Sequence, residues 1–345
     1  PVLGALIRKS LPIRHLLTYT EAIMRVYNRY GRRDNKYKAR IKILVRALTA
    51  EGFKTQVDEE WAAIDQEQGA VPLSELRRLS AFFAPSTFTE LDDAYALLGN
   101  QRLENPAFNR WMKHNVSPHR AKGYAVVTLS TKTVGTPPGD VSAEQMDAVA
   151  AWASEFGFGE IRIAHEQNFV LPHIPQRKLH ELWQQAQSMG LGHCNAGLIS
   201  DMICCPGGDY CSLANAKSLP VAEAIQRRFA DYDFQHDLGE LDLNISGCMN
   251  ACGHHHVGHI GILGVDKKGQ EFYQISLGGH AGHSGEGPRL GQIIGPSVPR
   301  AEVCDVIEKV LQVFLGLRFE SETFLSCFNR IGIQPFKESI YAKAA

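Results

Sequence analysis

An α+β fold is predicted, with helices and antiparallel strands grouped along the chain. Three observations carry that reading. Residues 10–30 place apolar side chains at helical spacing. Residues 123–188 run strand, helix, strand, strand, helix. Residues 241–277 hold further strands around a tight turn, ahead of a final amphipathic helix. At 345 residues the chain can build two or three domains with cores of their own. Apolar content of 44%, charged content of 21% and a formal net charge of −1 argue against general nucleic-acid binding and against a polybasic membrane anchor. No apolar run approaches the roughly 18 residues of a bilayer span, and no signal segment opens the chain. A cytoplasmic location is therefore expected. The first residue is Pro1 rather than Met, so a fragment is one reading.

The first helix is expected over residues 10–30, carried by Leu16, Leu17, Ile23, Met24, Tyr27 and Tyr30. In the segment that follows, Gly31–Arg46, seven cations (Arg32, Arg33, Lys36, Lys38, Arg40, Lys42, Arg46) fall in the fifteen residues from Arg32 on. It reads either as a solvated helix face, with Ile41, Leu44, Val45 and Leu48 turned to the core, or as an anion clamp. Guanidinium groups suit the second role because they bind oxyanions bidentately and stay charged. Residues 50–118 are rich in Ala, Glu and Leu and broken at Pro72, Pro85 and Pro106. They predict a helical connector without a motif.

Tyr124–Ser130 is an expected strand, and Thr136–Gly139 a turn. Ser142-Ala-Glu-Gln145 is a capping box opening a helix to about Phe156. Glu160–Ala164 and Asn168–Leu171 are two strands joined by the hairpin His165–Asn168, and Gln176–Met189 is a helix. That order predicts half of a ferredoxin-like layer, helices on one face of an antiparallel sheet. A helix is expected over Ser212–Phe229, with Pro220 as a break or kink. Leu241–Ser246 alternates apolar and polar residues and delivers Cys248. Gly258–Val265 and Glu271–Leu277 pair around Asp266–Gly269, a glycine-rich loop covers Gly278–Gly295, and a helix spans about Arg300–Phe314.

Eight cysteines are present, four of them in two pairs: Cys205-Pro-Gly-Gly-Asp-Tyr-Cys211 and Cys248-Met-Asn-Ala-Cys252. Crowded thiols in a long chain without a secretion signal point to metal or redox use rather than a disulfide framework. Thiolates select zinc, copper(I) or iron–sulfur clusters. Structural zinc uses tighter knuckles than Cys-x₅-Cys with Cys-x₃-Cys, whereas a cubane spreads its ligands. Gly207, Gly208, Gly247 and Gly253 would let the backbone fold closely over inorganic sulfide. A [4Fe–4S] cluster, a zinc site or no metal remain the alternatives. Cys204, Cys194, Cys304 and Cys327 read as packing residues. So do most of the run His254-His255-His256 and His259, since consecutive residues of an extended segment alternate faces.

The block Ser246-Gly-Cys-Met-Asn-Ala-Cys-Gly253 after Cys-x₅-Cys resembles the cluster signature of the sirohaem-dependent sulfite and nitrite reductases. Gly31-Arg-Arg-Asp-Asn-Lys-Tyr-Lys-Ala-Arg-Ile-Lys42, the hairpin Arg162–Leu171 with its Arg-x₄-Gln-Asn, and Ser276-Leu-Gly-Gly279 resemble further blocks of that family. The nearest resemblance is to the bacterial sulfite reductase haemoprotein subunit. It implies an α+β fold with pseudo-twofold halves, of which this chain carries the second. It divides the chain into the tail of a first sirohaem domain (1–60), a helical connector (61–118), a ferredoxin-like half-domain (119–195) and a [4Fe–4S]/sirohaem domain (196–345).

The resemblance further implies that Cys205, Cys211, Cys248 and Cys252 hold the cluster. Cys252 would also ligate the sirohaem iron and so serve catalysis. It sets Arg33, Asn35, Lys36, Lys38 and Arg40 toward the haem carboxylates, adds Gln167 and Asn168, and has Asn250 tune the cluster by hydrogen bonding. The implied reaction is the six-electron reduction of sulfite to sulfide, with nitrite to ammonia as the alternative. A zinc-stabilised module without catalysis is the reading from another class. Electrons would come from a separate flavoprotein reductase or ferredoxin, since no dinucleotide fingerprint is present. Most of the substrate-facing cations would belong to the first half, which this chain lacks.

Overall fold

The computed structural model describes residues 2–35, 38–84, 86–282 and 287–341. They form two compact units, divided between Thr87 and Phe88. The first is helical: α1 (Leu16–Tyr30), α2 (Ile41–Ala63) and α3 (Leu73–Phe82). Its core is Tyr19, Ala22, Val26, Leu44, Phe53 and Val57, with Tyr27, Val45, Leu48 and Trp61 packed against them. The buried stripe of α1 thus runs through Tyr19, Ala22 and Val26. Leu16, Leu17, Met24 and Tyr30, expected inside, are exposed, and so is Ile41 of α2. Two apolar stripes fit the same helix, and packing selected one of them. Thr49 takes φ 66° and splits α2 at a kink, with its hydroxyl accepting from Gly52 N at 3.2 Å.

The second unit opens with α4 (Gly99–Glu104) and α5 (Pro106–Asn115). A four-stranded antiparallel sheet follows, built from β1 (Val116–Pro118), β2 (Tyr124–Leu129), β3 (Arg162–Ile163) and β4 (Phe169–Pro175) in the order β1-β2-β4-β3, with α6 (Ala143–Phe156) and α7 (Leu179–Ser188). This is the expected ferredoxin-like order, with one strand more at its edge. β1 escaped notice because three residues next to a helix carry no periodicity. Ala125, Val127 and Leu129 of β2 face a core shared with Trp111, Trp152 and Trp183. The capping box of α6 is formed in both directions: Gln145 N donates to Ser142 Oγ and Ser142 N to Gln145 Oε1.

The second sheet holds β5 (Ile203–Cys204), β6 (Leu243–Ser246), β7 (Ile260–Lys267), β8 (Gln270–Leu277) and β10 (Val298–Pro299) in the order β10-β8-β7-β6-β5, with β9 (Gln292–Ile293) also on β8. β5, β6 and β7 run parallel, and β7 and β8 form a hairpin. The hairpin turns on Lys268 and Gly269, both at positive φ, as a two-residue turn requires. Helices α8 (Leu219–Arg228), α9 (Tyr232–Leu238), α10 (Val303–Leu317), α11 (Phe324–Ile331) and α12 (Gln334–Tyr341) complete the unit.

Two expectations need correction here. The helix after Cys211 begins at Leu219, so Pro220 sits in its first turn, where its missing N–H costs nothing, rather than at a kink. Ser212–Ser218 is loop. β6 is buried at all four positions despite its alternating sequence, because it lies between two parallel neighbours. Among the described residues no helix is long and apolar enough to cross a membrane.

Candidate functional site

The two cysteine pairs leave the carboxyl ends of neighbouring parallel strands. Cys204 is the last residue of β5 and pairs with Ile245 of β6. Cys205 follows directly, and Cys248 comes two residues after Ser246. Ends of adjacent parallel strands are where α/β sheets hold ligands, since the loops there diverge and leave a crevice.

The two loops are pinned to one another. Asn215 N and Ala216 N both donate to Gly247 O, at 2.9 and 3.1 Å, and Cys205 N donates to Ile245 O at 3.1 Å. Gly247 N points at Cys205 Sγ at 3.1 Å, and the buried hydroxyl of Ser218 lies 3.6 Å from the same sulfur. Ser218, distant in sequence and unremarkable in type, could not be foreseen from spacing. Within the second loop, Ala251 N donates to Cys248 O and His254 N to Ala251 O. Those two turns put Ala251 and His254 at φ 60° and 53°, a conformation L-residues seldom adopt.

The glycines act on protein backbone. A Cβ on Gly247 would stand 2.7 Å from both Gly207 Cα and Ala216 O, and one on Gly253 only 1.9 Å from Ile245 O. They let loop lie on loop and loop on strand. The result still suits a cluster. Four thiols rise from two mutually fixed loops: Cys248 is buried, Cys205 and Cys211 are half-buried and Cys252 is exposed. Tyr210, Leu213 and Met249 beside them are exposed apolar side chains. Both ring nitrogens of His255, three residues past Cys252, are buried without a hydrogen-bond partner, a need a bound group can meet. The soft donor set and the cradle fit a [4Fe–4S] cluster. Among the described residues, no three His, Cys, Asp or Glu side chains stand close enough to hold a single ion.

The remaining cysteines are packing residues. Cys194, Cys204, Cys304 and Cys327 are buried, and burial pushes the Cys204 thiol well above the ordinary thiol range. His259 is buried, its Nδ1 accepting from Asp242 N at 3.1 Å.

The hairpin residues face inward. Gln167 Oε1 accepts from Cys204 N at 2.9 Å, and its Nε2 donates to Cys204 O at 3.1 Å. Asn168 is 2% exposed. Its Oδ1 accepts from Thr131 N at 3.1 Å and Lys132 Nζ at 3.0 Å, while its Nδ2 donates to Asp201 Oδ1 at 2.8 Å. Lys132 and Asp201 form a buried ion pair at 3.4 Å. Burial pulls the lysine down and pushes the carboxyl up, and their mutual attraction opposes both shifts. Neither residue was singled out from sequence, where an isolated lysine and aspartate look like surface. Both line or adjoin a cleft of about 640 Å³ bounded by the hairpin, Asn244, His114 and His236.

Asn250, between Cys248 and Cys252, is exposed. In the first unit, Arg33 is exposed and stacks on Tyr27 with its guanidinium carbon 4.9 Å from the ring centre. Lys38 and Arg40 are exposed, and Asn35 O accepts from Lys38 N at 2.9 Å. Lys36 lies outside the described residues.

A family model described as the nitrite and sulphite reductase 4Fe-4S domain matches residues 3–64 and 196–345. A second, described as the nitrite/sulfite reductase ferredoxin-like half domain, matches 127–189. Sulfite reductase (ferredoxin) 2 of Mycolicibacterium paratuberculosis is 27% identical over 94% of this chain and 53% of its own length. The chloroplastic ferredoxin–nitrite reductase of Arabidopsis thaliana is 24% identical over 87% and 46%, and the ferredoxin–nitrite reductase of Synechococcus elongatus 26% over 90% and 53%. The chain spans about half the length of these curated relatives. The solved Mycobacterium tuberculosis NirA protein shares the fold at TM-score 0.64 and 22% identity, over 94% of this chain and 54% of that one.

Proposed function

The chain belongs to the sirohaem-dependent nitrite and sulfite reductase family, and from that premise we propose that it forms the cluster-bearing part of a reductase converting sulfite to sulfide with six electrons and six protons per hydrogen sulfite. The observation that carries the reading is the departure of both cysteine-bearing loops from the carboxyl ends of the neighbouring parallel strands β5 and β6. Cys205, Cys211, Cys248 and Cys252 would hold the [4Fe–4S] cluster, and Cys252, the most exposed of the four, would also serve the sirohaem. When bound, those groups would supply electrons for the reduction, and thiolate ligation would favour cleavage of bonds to oxygen.

The chain's own contributions are positional. Gly247 N and Ser218 set the Cys205 sulfur, the turns at Ala251 and His254 aim Cys252, and Asn250 faces outward beside them. Arg33, Asn35, Lys36, Lys38 and Arg40 are assigned to the sirohaem carboxylates on the sequence resemblance. Ferredoxin is the favoured donor, in keeping with the names of the relatives. Nitrite is the second reading, supported by the nitrite reductases among them.

The test is anaerobic preparation followed by metal and sulfide analysis and a visible spectrum. Acid-labile sulfide near four per chain is expected, with iron near four, or near five where sirohaem is also held, and the sulfide is lost in Cys205→Ser and Cys248→Ser. A colourless protein holding one zinc would overturn the cluster assignment. With the full-length protein and a reduced viologen dye, nitrite turnover far above sulfite turnover would reverse the substrate order.

A further inference from the structure

We propose that Gln167 and Asn168 form a two-point brace on β5, with Gln167 acting as a positioning residue for Cys205. The proposal rests on the reading that Cys205 is a cluster ligand. β5 is two residues long and lies at the edge of its sheet, with β6 on one side only. Such an edge has few hydrogen bonds to hold it, yet it must fix the chain where Cys205 departs.

Gln167 supplies what a further strand would. Its amide oxygen takes the Cys204 N–H and its amide nitrogen gives to the Cys204 carbonyl, so one side chain imitates a ladder pair. The backbone then alternates as a strand should, and Cys205 N turns to the other side and donates to Ile245 O. Asn168 grips the run-in to β5 by donating to Asp201, whose second oxygen accepts from Gly197 N at 3.0 Å. Two consecutive hairpin residues thus hold the chain just before β5 and at its last residue.

The brace has a firm root. Gln167 sits at φ 62°, a conformation costing on the order of 1 kcal/mol or more for a non-glycine residue. It is kept there by its N–H to Ala164 O, its carbonyl accepting from Thr131 Oγ1, and Gly139, where a Cβ would meet the Gln167 side chain at 3.1 Å. Asn168 is anchored by Thr131 and the buried Lys132. The ferredoxin-like half-domain, which carries no cluster ligand, therefore acts on the cluster through this hairpin.

The test compares the parent chain with Gln167→Met, which keeps length and loses both hydrogen bonds, and Gln167→Glu, which keeps only the acceptor. Amide exchange at Cys204, read by NMR or fragmentation-resolved mass spectrometry, should speed at least tenfold in the Met variant and less in the Glu variant. Chelator-driven loss of iron should quicken several-fold, and the electron paramagnetic resonance signature of the reduced cluster should broaden or shift. Far-UV circular dichroism reports that the variants stay folded. Parent-like exchange and parent-like cluster retention in Gln167→Met overturn the brace. If the parent itself takes up no iron and sulfide, the cluster assignment fails on its own, and exchange at Cys204 still decides the brace.

Discussion

Replacing Gly253 with alanine puts a methyl carbon 1.9 Å from the Ile245 carbonyl oxygen. A carbon–oxygen contact relaxes at about 3.3 Å, so the loop carrying Cys252 must lift from β6 by roughly 1.4 Å. The obstacle is backbone in a buried strand, which cannot swing aside as a side chain would. Overpacking of this kind costs about 1–3 kcal/mol. The lift also breaks the bond from Gly253 N to Ser246 Oγ at 3.1 Å, worth about 1 kcal/mol. The sum is about 2–4 kcal/mol, which at a urea dependence near ~3 kcal/mol/M moves the unfolding midpoint down by about 1 M.

The assay is urea unfolding followed by circular dichroism, together with iron and sulfide content. Gly253→Ala should lose both stability and cluster. Gly316→Ala is the control: it sits inside α10 with nothing within 4 Å of the added carbon, and should gain about 0.5–1 kcal/mol from helix propensity. A Gly253→Ala protein with the parent's midpoint and iron content would refute the close-packing argument for the Cys252 loop.

Three other outcomes are expected. Asp201→Ala leaves Lys132 buried without its carboxylate and should cost about 3–5 kcal/mol, whereas Lys132→Met with Asp201→Leu should cost less; equal losses in the two would refute the pairing. His114 is held down to about 4, chiefly by burial and then by His236 and Lys113. Because its folded value lies below the ordinary 6.5, its contribution is full above pH 6.5 and is lost as pH falls toward 4. His114→Gln should therefore show a shallower decline in urea midpoint between pH 7 and 4.5 than the parent, and parallel curves would count against it. Lys268→Asn should raise the melting temperature slightly, since Asn tolerates the positive φ of the β7–β8 turn better than Lys by a few tenths to about 1 kcal/mol; a fall would contradict the turn assignment.

Much of the fold was legible locally. The capping box at Ser142 and Gln145, the β7–β8 hairpin and the ferredoxin-like order depend on residues close in sequence, and each formed as expected. Expectations failed where a pattern admitted two solutions. α1 carries apolar residues on two stripes and buried one of them, and Ser212–Ser218 has helix-compatible residues but is held as loop by Gly247 O and by Glu271 Oε1, which accepts from Lys217 N. β6 reads as half-exposed and is wholly buried, because parallel neighbours are a property of the sheet and not of the strand.

The sequence by itself determined the candidate donor set: four thiols at spacings that suit a cluster, in a block that resembles one family. Ligand chemistry is written in residue types, so it survives without coordinates. Only the tertiary structure decided how those thiols are held. The pinning of Gly247 against Gly207, the hydroxyl of Ser218 beside Cys205, the Lys132–Asp201 pair and the grip of Gln167 on Cys204 join residues far apart along the chain. Such contacts leave no periodic signal, because nothing in local sequence fixes which distant backbone groups will be left needing a partner until the strands have been set side by side.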